Sequence, residues 1–208
     1  MTEINENQSI EQTILETAER LFLEKGFEST STTKIAKEVG CNQALIHYYY
    51  RTKENLFNRI FENKFRMIFQ QLFSTENMSH LGFSEKIRYI ALAHFELLEK
   101  NPRIPYLILN ELSRQPAQMK LLREKLRSYT EKAFKDLNAD LQQEIAAGKI
   151  RNCSLSDIII SMVSLNVSLF LMMPVVEQIL MLDEKQKKAL IQHRKEENIN
   201  FLLAGLRP

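Results

Sequence analysis

Residues 43–50, Gln-Ala-Leu-Ile-His-Tyr-Tyr-Tyr, gather within one short segment several side chains that form directed hydrogen bonds. A glutamine amide can donate and accept at once, which suits the edge of an adenine, and an alanine methyl can contact a thymine methyl. Imidazole and phenol groups can donate to phosphate oxygens. Thr32, Thr33 and Lys53 flank the segment with two hydroxyl groups and an ammonium group. These residue types favour recognition of a nucleic acid over covalent catalysis.

The spacing around this segment predicts two short helices joined by a tight turn. Counted from Thr32 as position one, Ala36 is fifth, Gly40 ninth and Ile46 fifteenth. The fifth residue must be small because the second helix crosses over it, and the fifteenth must be apolar to hold the two helices together. Glycine at the ninth allows a positive φ without steric cost. A helix-turn-helix of this kind lays its second helix, here residues 43–50, in the major groove of DNA.

The charge around the motif agrees with a polyanionic partner. Residues 30–53 carry four cations against Glu38 alone, whereas the whole chain has a net charge of only +2. The cations are Lys34, Lys37, Arg51 and Lys53. A basic patch therefore exists locally, although no strong field surrounds the whole molecule.

The order of residues in this region resembles the DNA-binding domain of the TetR (tetracycline repressor) family. The resemblance covers about residues 9–57, a quarter of the chain, and is weak beyond residue 57. It rests on Gly26-Phe27, Thr30-Ser31, Ile35-Ala36, Val39-Gly40, Ala44-Leu45-Ile46-His47-Tyr48-Tyr49-Tyr50 and Lys53-Glu54-Asn55-Leu56-Phe57. Three positions depart from the family pattern: His47 replaces the usual tyrosine, Leu45 stands where serine or threonine is frequent, and Tyr50 stands where phenylalanine is usual.

The resemblance implies a homodimeric transcription factor that binds a palindromic double-stranded DNA operator and responds to a small-molecule effector, most simply as a repressor released by that effector. By position, the residues that would contact DNA are Thr32, Thr33, Gln43, Ala44, His47, Tyr48, Tyr49 and Lys53. We expect bases to be read by Thr33, Gln43 and Ala44. We expect phosphates to be bound by Thr32, Tyr48, Tyr49 and Lys53.

Glycine and proline are scarce, with five of each in 208 residues, against average shares of about 7% and 5%. A chain this poor in turn residues does not suit a sandwich or a barrel. The apolar spacing predicts an all-α protein of about nine helices, with a three-helix helix-turn-helix domain over residues 1–55. A helical ligand-binding and dimerisation domain is expected over residues 56–208. The helix that starts near Lys53 should connect the two, because its apolar face drifts around the axis and would meet a different core at each end.

One uncharged stretch, Ile158–Val176, approaches the length that crosses a membrane. It contains several polar residues and lacks flanking basic clusters, so a buried or interface helix is the better interpretation. Its serines fall on one face, where small side chains would let another helix approach. With the apolar stripe of the last helix, they predict a four-helix dimer interface. The residues assigned to it are Ser161, Ser164, Ser168, Leu190, Ile199, Leu202, Leu203 and Leu206.

The middle helices are rich in aromatic residues and methionine, which predicts an apolar pocket for a hydrophobic or aromatic effector. The candidates are Phe69, Phe73, Tyr89, His94, Phe95, Tyr106, Phe134, Met162, Asn166 and Phe170. Plain core packing is the competing interpretation for each, and His94 in particular fits a core histidine with satisfied hydrogen bonds.

Catalytic, metal and phosphate-loop motifs are absent from the sequence, so we expect no enzyme activity, no metal and no cofactor. Two cysteines give no disulfide framework, and the polar N-terminus has no signal segment, which indicates a cytoplasmic protein without membrane attachment. The alternative to a DNA-binding regulator is a helical adaptor that binds another protein and does not select a DNA sequence.

Overall fold

The computed structural model describes residues 2–73, 78–109 and 116–208, and these form nine helices without a strand. The all-α prediction is therefore confirmed for this part of the chain. The helices are α1 Thr2–Lys25, α2 Thr32–Val39, α3 Gln43–Tyr50, α4 Lys53–Leu72, α5 Phe83–Lys100, α6 Ile104–Leu107, α7 Pro116–Ala146, α8 Leu155–Leu180 and α9 Glu184–Ala204. The sequence also predicts a helix that opens at Asn101-Pro102 and ends near Arg114, and its last part lies outside the described residues.

Helix ends follow the local rules that the sequence suggested. The Ser154 hydroxyl accepts from the Asp157 backbone N–H at 3.0 Å, while the Asp157 carboxylate accepts from the Ser154 N–H, which forms a capping box at the start of α8. Asp183 and Gln186 do the same for α9. The sequence predicts that the first helix begins at Ser9, whose hydroxyl and Gln12 could form a capping box. This boundary is wrong, because α1 begins at Thr2.

The chain divides into two compact units, and the division falls within α4. The first unit comprises Met1–Arg66 and Leu107–Leu126, and the second comprises Met67–Tyr106 and Arg127–Pro208. A cluster of aromatic rings forms the core of the first unit. Phe57 lies 5.2 Å from the ring centroid of Phe22 and 4.8 Å from that of Phe27, and all three side chains are almost fully buried.

Helix α4 contributes to the cores of both units. Phe57 and Ile60, near its start, are buried among residues of the first unit, whereas Ile68 and Leu72 cluster with Ala93 in the second. A row of residues spaced by four drifts about 40° per step around a helix, since four residues advance about 400°. The drifting apolar face noted in the sequence thus matches the two cores that this helix serves.

The core of the second unit is built largely by α5, α8 and α9. Three residues predicted for the dimer interface belong to this core: Ile199, Leu202 and Leu206 are 4–7% exposed. A partner molecule cannot reach these side chains, so their assignment to an interface is corrected to subunit packing. The apolar spacing of α9 does mark a buried face, but that face packs against helices of its own subunit.

Two buried asparagines connect the helices of the second unit through hydrogen bonds. The Asn166 amide nitrogen donates to the Ala91 carbonyl at 3.0 Å and to His94 Nδ1 at 3.2 Å. Asn198 in turn donates to Asn166 Oδ1 at 3.1 Å and accepts from Arg194 at 2.5 Å. Because a buried amide without partners is costly, this chain of bonds specifies how α5, α8 and α9 pack.

Stability should depend on pH through His94, because burial lowers its pKa to about 4 from an ordinary 6.5. Between pH 6.5 and about 4, His94 is protonated in the unfolded chain and stays neutral in the folded chain. The free energy of unfolding therefore falls as the pH drops through this range. We expect a loss of about 2–3 kcal/mol over this range. Urea unfolding of the wild type and His94→Gln at pH 7.5 and pH 4.5 measures it. The variant should lose less stability than the wild type, and an equal loss would contradict the assignment.

One side of α8 remains exposed in the single chain. Ile160 and Ile179 are 63% and 73% exposed, and Ser161, Ser164 and Ser168 are also exposed. The helix is long and apolar enough to cross a membrane, with 28% of its most apolar window buried. Its other side carries the hydrogen-bonded Asn166 and packs in the subunit core, so we do not interpret it as a membrane span.

The sequence predicts that Pro174 kinks or ends the uncharged helix, because proline cannot continue the backbone hydrogen bonds. The helix continues past Pro174 to Leu180, so it does not end there. A proline ring clashes with the carbonyl four residues before it and cannot donate to it. Close to this point, the Tyr106 hydroxyl donates to the Leu171 carbonyl at 2.6 Å, which ties α6 to α8 one turn before the proline.

Candidate nucleic-acid interface

Helices α2 and α3 form the helix-turn-helix that the spacing predicted. The hydroxyl of Ser31 caps α2 by accepting from the Lys34 N–H at 3.1 Å. At the turn, Gly40 has φ 79° and donates to the Ala36 carbonyl at 2.9 Å, in the left-handed conformation that glycine adopts freely. Ala36 and Ile46 are 3% and 1% exposed at the crossing of the two helices. Each position therefore has the role that its residue type indicated.

The loop before α2 is fixed by Thr30, a residue that entered the sequence analysis only as part of the Thr30-Ser31 pair in the family resemblance. Its side chain is fully buried, and its hydroxyl donates to the Gly26 carbonyl at 2.9 Å. The first unit therefore holds α2 through a hydrogen bond within the loop as well as through apolar packing.

Helix α3 ends in a strained turn at Arg51. The residue has φ 65° and ψ −51°, and the Thr52 N–H donates to the Tyr50 carbonyl at 2.8 Å across it. This is a γ-turn of the positive-φ type, which is rare and strained in proteins. Sequence reasoning missed it, because arginine carries no signal for such a turn.

Replacement of Arg51 by glycine should separate strain from charge. Glycine adopts positive φ readily, so we expect Arg51→Gly to stabilise the protein by about 1 kcal/mol in urea unfolding. DNA affinity should fall, because the same change removes a cation from the basic patch. Arg51→Ala serves as the control, since it loses the charge and keeps the strain. Equal stabilities of the two variants would contradict a strained turn.

Four of the predicted DNA-contacting residues form one hydrogen-bonded group. The Thr33 hydroxyl donates to Gln43 Oε1 at 3.0 Å, and Gln43 Nε2 donates to the Thr32 hydroxyl at 3.0 Å. Gln43 Nε2 also lies 3.2 Å from His47 Nε2, and His47 Nδ1 lies 3.0 Å from the Arg51 carbonyl oxygen. The group joins the N-terminus of α2 to the exposed side of α3.

The remaining predicted residues differ in how they are presented. Ala44 is exposed, Tyr48 is 78% exposed, and Tyr49 is half-buried with its ring 5.4 Å from that of Tyr48. Thr32 is buried, at 9% exposure. Lys53 contacts the protein itself: its ammonium donates to the Phe27 carbonyl at 3.0 Å and lies 4.0 Å above the Phe27 ring. A phosphate contact by Lys53 would require its ammonium to share or leave these partners.

A cavity of about 230 Å³ lies in the second unit. Phe73, Met78 and Leu137 supply apolar lining, and the Lys86–Asp140 ion pair, 2.6 Å long, borders it together with Asp136. Of the ten predicted pocket residues, Phe73 lines this cavity. The ring of Phe73 lies 5.3 Å from that of Phe134 and is stacked on that of Phe69 at 5.8 Å. The Tyr89 hydroxyl donates to the Gln71 carbonyl at 3.4 Å.

Several other predicted pocket residues are used in the packing of the subunit. Phe95, Met162 and Phe170 are buried, with the rings of Phe95 and Phe170 5.3 Å apart. Asn166 is engaged by internal hydrogen bonds, as described above. The charged residues at the cavity, Lys86 among them, were missed by sequence reasoning because isolated charges on helices usually lie in solvent.

Comparison with known proteins identifies relatives of both the motif and the fold. The family of bacterial regulatory proteins named tetR matches residues 14–60. The fatty acid metabolism regulator protein of Bacillus subtilis (strain 168) is 22% identical over 138 residues, which cover 66% of this chain and 69% of that protein. The HTH-type transcriptional regulator AcrR of Shigella flexneri is 40% identical over 57 residues, which are only 26% of AcrR.

A solved structure extends the likeness over almost the whole chain. The transcriptional regulator FadR from Bacillus subtilis, in complex with stearoyl-CoA, superposes with a TM-score of 0.67 at 19% identity, covering 94% of this chain and 99% of that one. At this identity the superposition establishes the fold. The relative that matches 57 residues at 40% identity is named an HTH-type transcriptional regulator.

Proposed function

We propose that this chain, whose residues 14–60 match the tetR family of bacterial regulatory proteins, is a cytoplasmic repressor of that family that binds a palindromic operator as a dimer and is released by a small hydrophobic or aromatic effector. DNA binding would belong to residues 1–55, and effector binding and dimerisation to residues 56–208. The observation that carries the proposal is the polar group on α2 and α3. Thr32, Thr33 and His47 form hydrogen bonds with Gln43, and the same helix-turn-helix presents Tyr48 at 78% exposure.

The exposed face of α8 supports the dimer. Ile160, Val163, Met172, Val175 and Ile179 are each at least 38% exposed. An apolar stripe of this length on a soluble helix indicates an interaction surface. The serines on the same face let a second helix approach closely, so the partner that fits best is a second copy of α8. Phe201 on α9, 74% exposed, would extend the interface.

Dimer symmetry would set the operator. Two recognition helices related by a twofold axis bind half-sites about one helical turn apart, roughly 34 Å. An effector that fits only one arrangement of the second unit would shift α4, whose residues serve both cores. The ligand can change DNA affinity only by the difference between its affinities for the two states.

The cavity and the relatives together suggest which class of effector to test first. Its apolar lining suits an alkyl or aromatic body, and Lys86 offers a cation at its edge, although Asp140 is paired with that cation. Because one relative is named for fatty acid metabolism and one solved structure holds stearoyl-CoA, long-chain acyl-CoA is the first effector to test.

Selection of bound duplexes from a random pool, followed by gel shift, tests the proposal. We expect a palindromic sequence to emerge, with affinity that falls steeply as salt rises. Gln43→Ala should relax specificity at one base pair by about 1–3 kcal/mol. Addition of stearoyl-CoA should release the DNA, with free CoA and a short-chain acyl-CoA as controls. Recovery of no preferred sequence would favour the helical adaptor instead.

A further inference from the structure

The hydrogen bonds around His47 define which of its nitrogens carries the proton. His47 Nδ1 lies 3.0 Å from the Arg51 carbonyl oxygen, which can only accept, so Nδ1 must be the donor. In the neutral imidazole, Nε2 is then an acceptor. Its neighbour at 3.2 Å is Gln43 Nε2, which can only donate. The arrangement is therefore consistent only if His47 accepts a hydrogen bond from the Gln43 amide.

This accounting leaves Gln43 with a specific set of free groups. Its two amide hydrogens are used by the Thr32 hydroxyl, at 3.0 Å, and by His47 Nε2. Its carbonyl oxygen has two acceptor positions, and the Thr33 hydroxyl occupies one of them at 3.0 Å. Within these contacts Gln43 retains an open acceptor and no open donor. Thr33 has likewise given its only hydrogen and can only accept.

The surface presented by this group therefore differs from that of an unrestrained glutamine. A free glutamine binds adenine through two bonds, donating to N7 and accepting from N6. Gln43 held in this way can only accept, so its partners in the major groove are exocyclic amino groups. Adenine N6 and cytosine N4 are the two amino groups exposed there, whereas guanine and thymine present acceptors.

We propose that His47 is a positioning residue that fixes the amide orientation of Gln43, so that Gln43 selects an exocyclic amino group, of adenine or cytosine, at one operator position. The inference rests on the proposed DNA-binding function and specifies its chemistry. It also gives a physical role to a position where this chain departs from the tyrosine usual in the family.

Two substitutions at residue 47 test this role. His47→Phe removes the acceptor and frees one amide hydrogen of Gln43, whereas His47→Gln offers a carbonyl oxygen to the same hydrogen. Both lose the ring N–H that donates to the Arg51 carbonyl, so they differ mainly in the acceptor. The readout is the affinity for the selected operator carrying each of the four bases at the position that Gln43→Ala identifies. Circular dichroism verifies that both variants are folded.

For the wild type, and likewise for His47→Gln, we expect the affinities for the adenine operator and the cytosine operator to differ by no more than about threefold. Both proteins should bind the adenine and cytosine operators about 5–10-fold more tightly than the guanine or thymine operators, because one hydrogen bond contributes an affinity factor of this size. In His47→Phe the freed hydrogen can reach adenine N7, so adenine should be preferred over cytosine by about tenfold. If His47→Phe keeps the wild-type base preference, or if the wild type already prefers adenine strongly, the inference is overturned. If the wild type selects no sequence, the proposed function itself fails.

Discussion

Replacement of Phe57 by alanine is expected to destabilise the first unit by about 3–5 kcal/mol, because it removes a ring from the centre of its core. Phe57 is 1% exposed, and its centroid lies 4.4 Å from that of Phe61, in addition to its contacts with Phe22 and Phe27. The residue sits one turn into α4, where that helix meets α1. A cavity at this point would loosen the whole helix-turn-helix, since no neighbouring side chain can fill a phenyl ring's volume.

Hydrogen exchange of the amides in α1 to α3 is the measurement of choice, because it reports the first unit separately from the second. Protection there should fall about 100-fold or more in Phe57→Ala, which corresponds to about 3 kcal/mol. Tyr48→Ala provides the control, since that ring is 78% exposed and its loss should change stability by at most about 0.5 kcal/mol. Protection in Phe57→Ala equal to that in Tyr48→Ala would contradict the central position of Phe57.

The second large effect is expected from a charge placed on the exposed face of α8. Met172 is 52% exposed in the single chain and lies between Ser168 and Val175 on the stripe proposed to pair with its symmetry mate. Met172→Glu would bury two carboxylates, one from each subunit, in the proposed interface. Burial of unpaired like charges costs several kcal/mol, so we expect dimer affinity to fall at least about 100-fold. Operator affinity should fall with it, because a monomer binds only one half-site.

Sedimentation equilibrium measures the dimer, and gel shift on the selected operator measures the consequence. Met67→Glu is a matched control: it makes the same substitution at a methionine that is 63% exposed in α4, away from the stripe. It should leave both the dimer and the operator affinity within about threefold of wild type. Wild-type protein that is monomeric at micromolar concentration, or a dimeric Met172→Glu, would remove the proposed interface.

Features set by neighbours in sequence could be predicted from the sequence. The capping boxes at Ser154 and Asp183 and the left-handed glycine at Gly40 depend on residues within four positions of one another. The helix-turn-helix is local in the same sense, because its small core lies within fifteen residues. Such features follow from residue type and spacing without knowledge of the remaining chain.

Features that depend on distant packing were predicted less well. The apolar period of α9 identifies a buried face, but it does not distinguish a subunit's own core from a partner's surface. Leu202 of the predicted interface is buried in its own subunit, whereas the adjacent Phe201, which lies about 100° around the helix and outside the predicted stripe, is 74% exposed. The group around Gln43 could not be foreseen either, since it requires the strained backbone of Arg51 to bring a carbonyl oxygen to His47.

The effector site illustrates a limit of reasoning from residue type. Large aromatic residues were selected as pocket candidates, and Phe95 and Phe170 were used instead to fill the core of the second unit. The cavity borders the Lys86–Asp140 ion pair, whose members are separated by more than fifty residues in sequence. Only the fold brings these charges next to Phe73, so the spacing of residues carries no signal for them.

The shared helix α4 restricts how the length of this protein can change in evolution. Each residue inserted in a helix rotates everything after it by about 100°. One residue inserted between Arg66 and Met67 would therefore turn Ile68 and Leu72, the residues that cluster with Ala93, by about 100° around the helix relative to Phe57. An insertion of seven residues, close to two full turns, would nearly restore the phase. We therefore expect homologous chains to conserve the number of residues between these two apolar groups, or to vary it in steps close to whole helical turns.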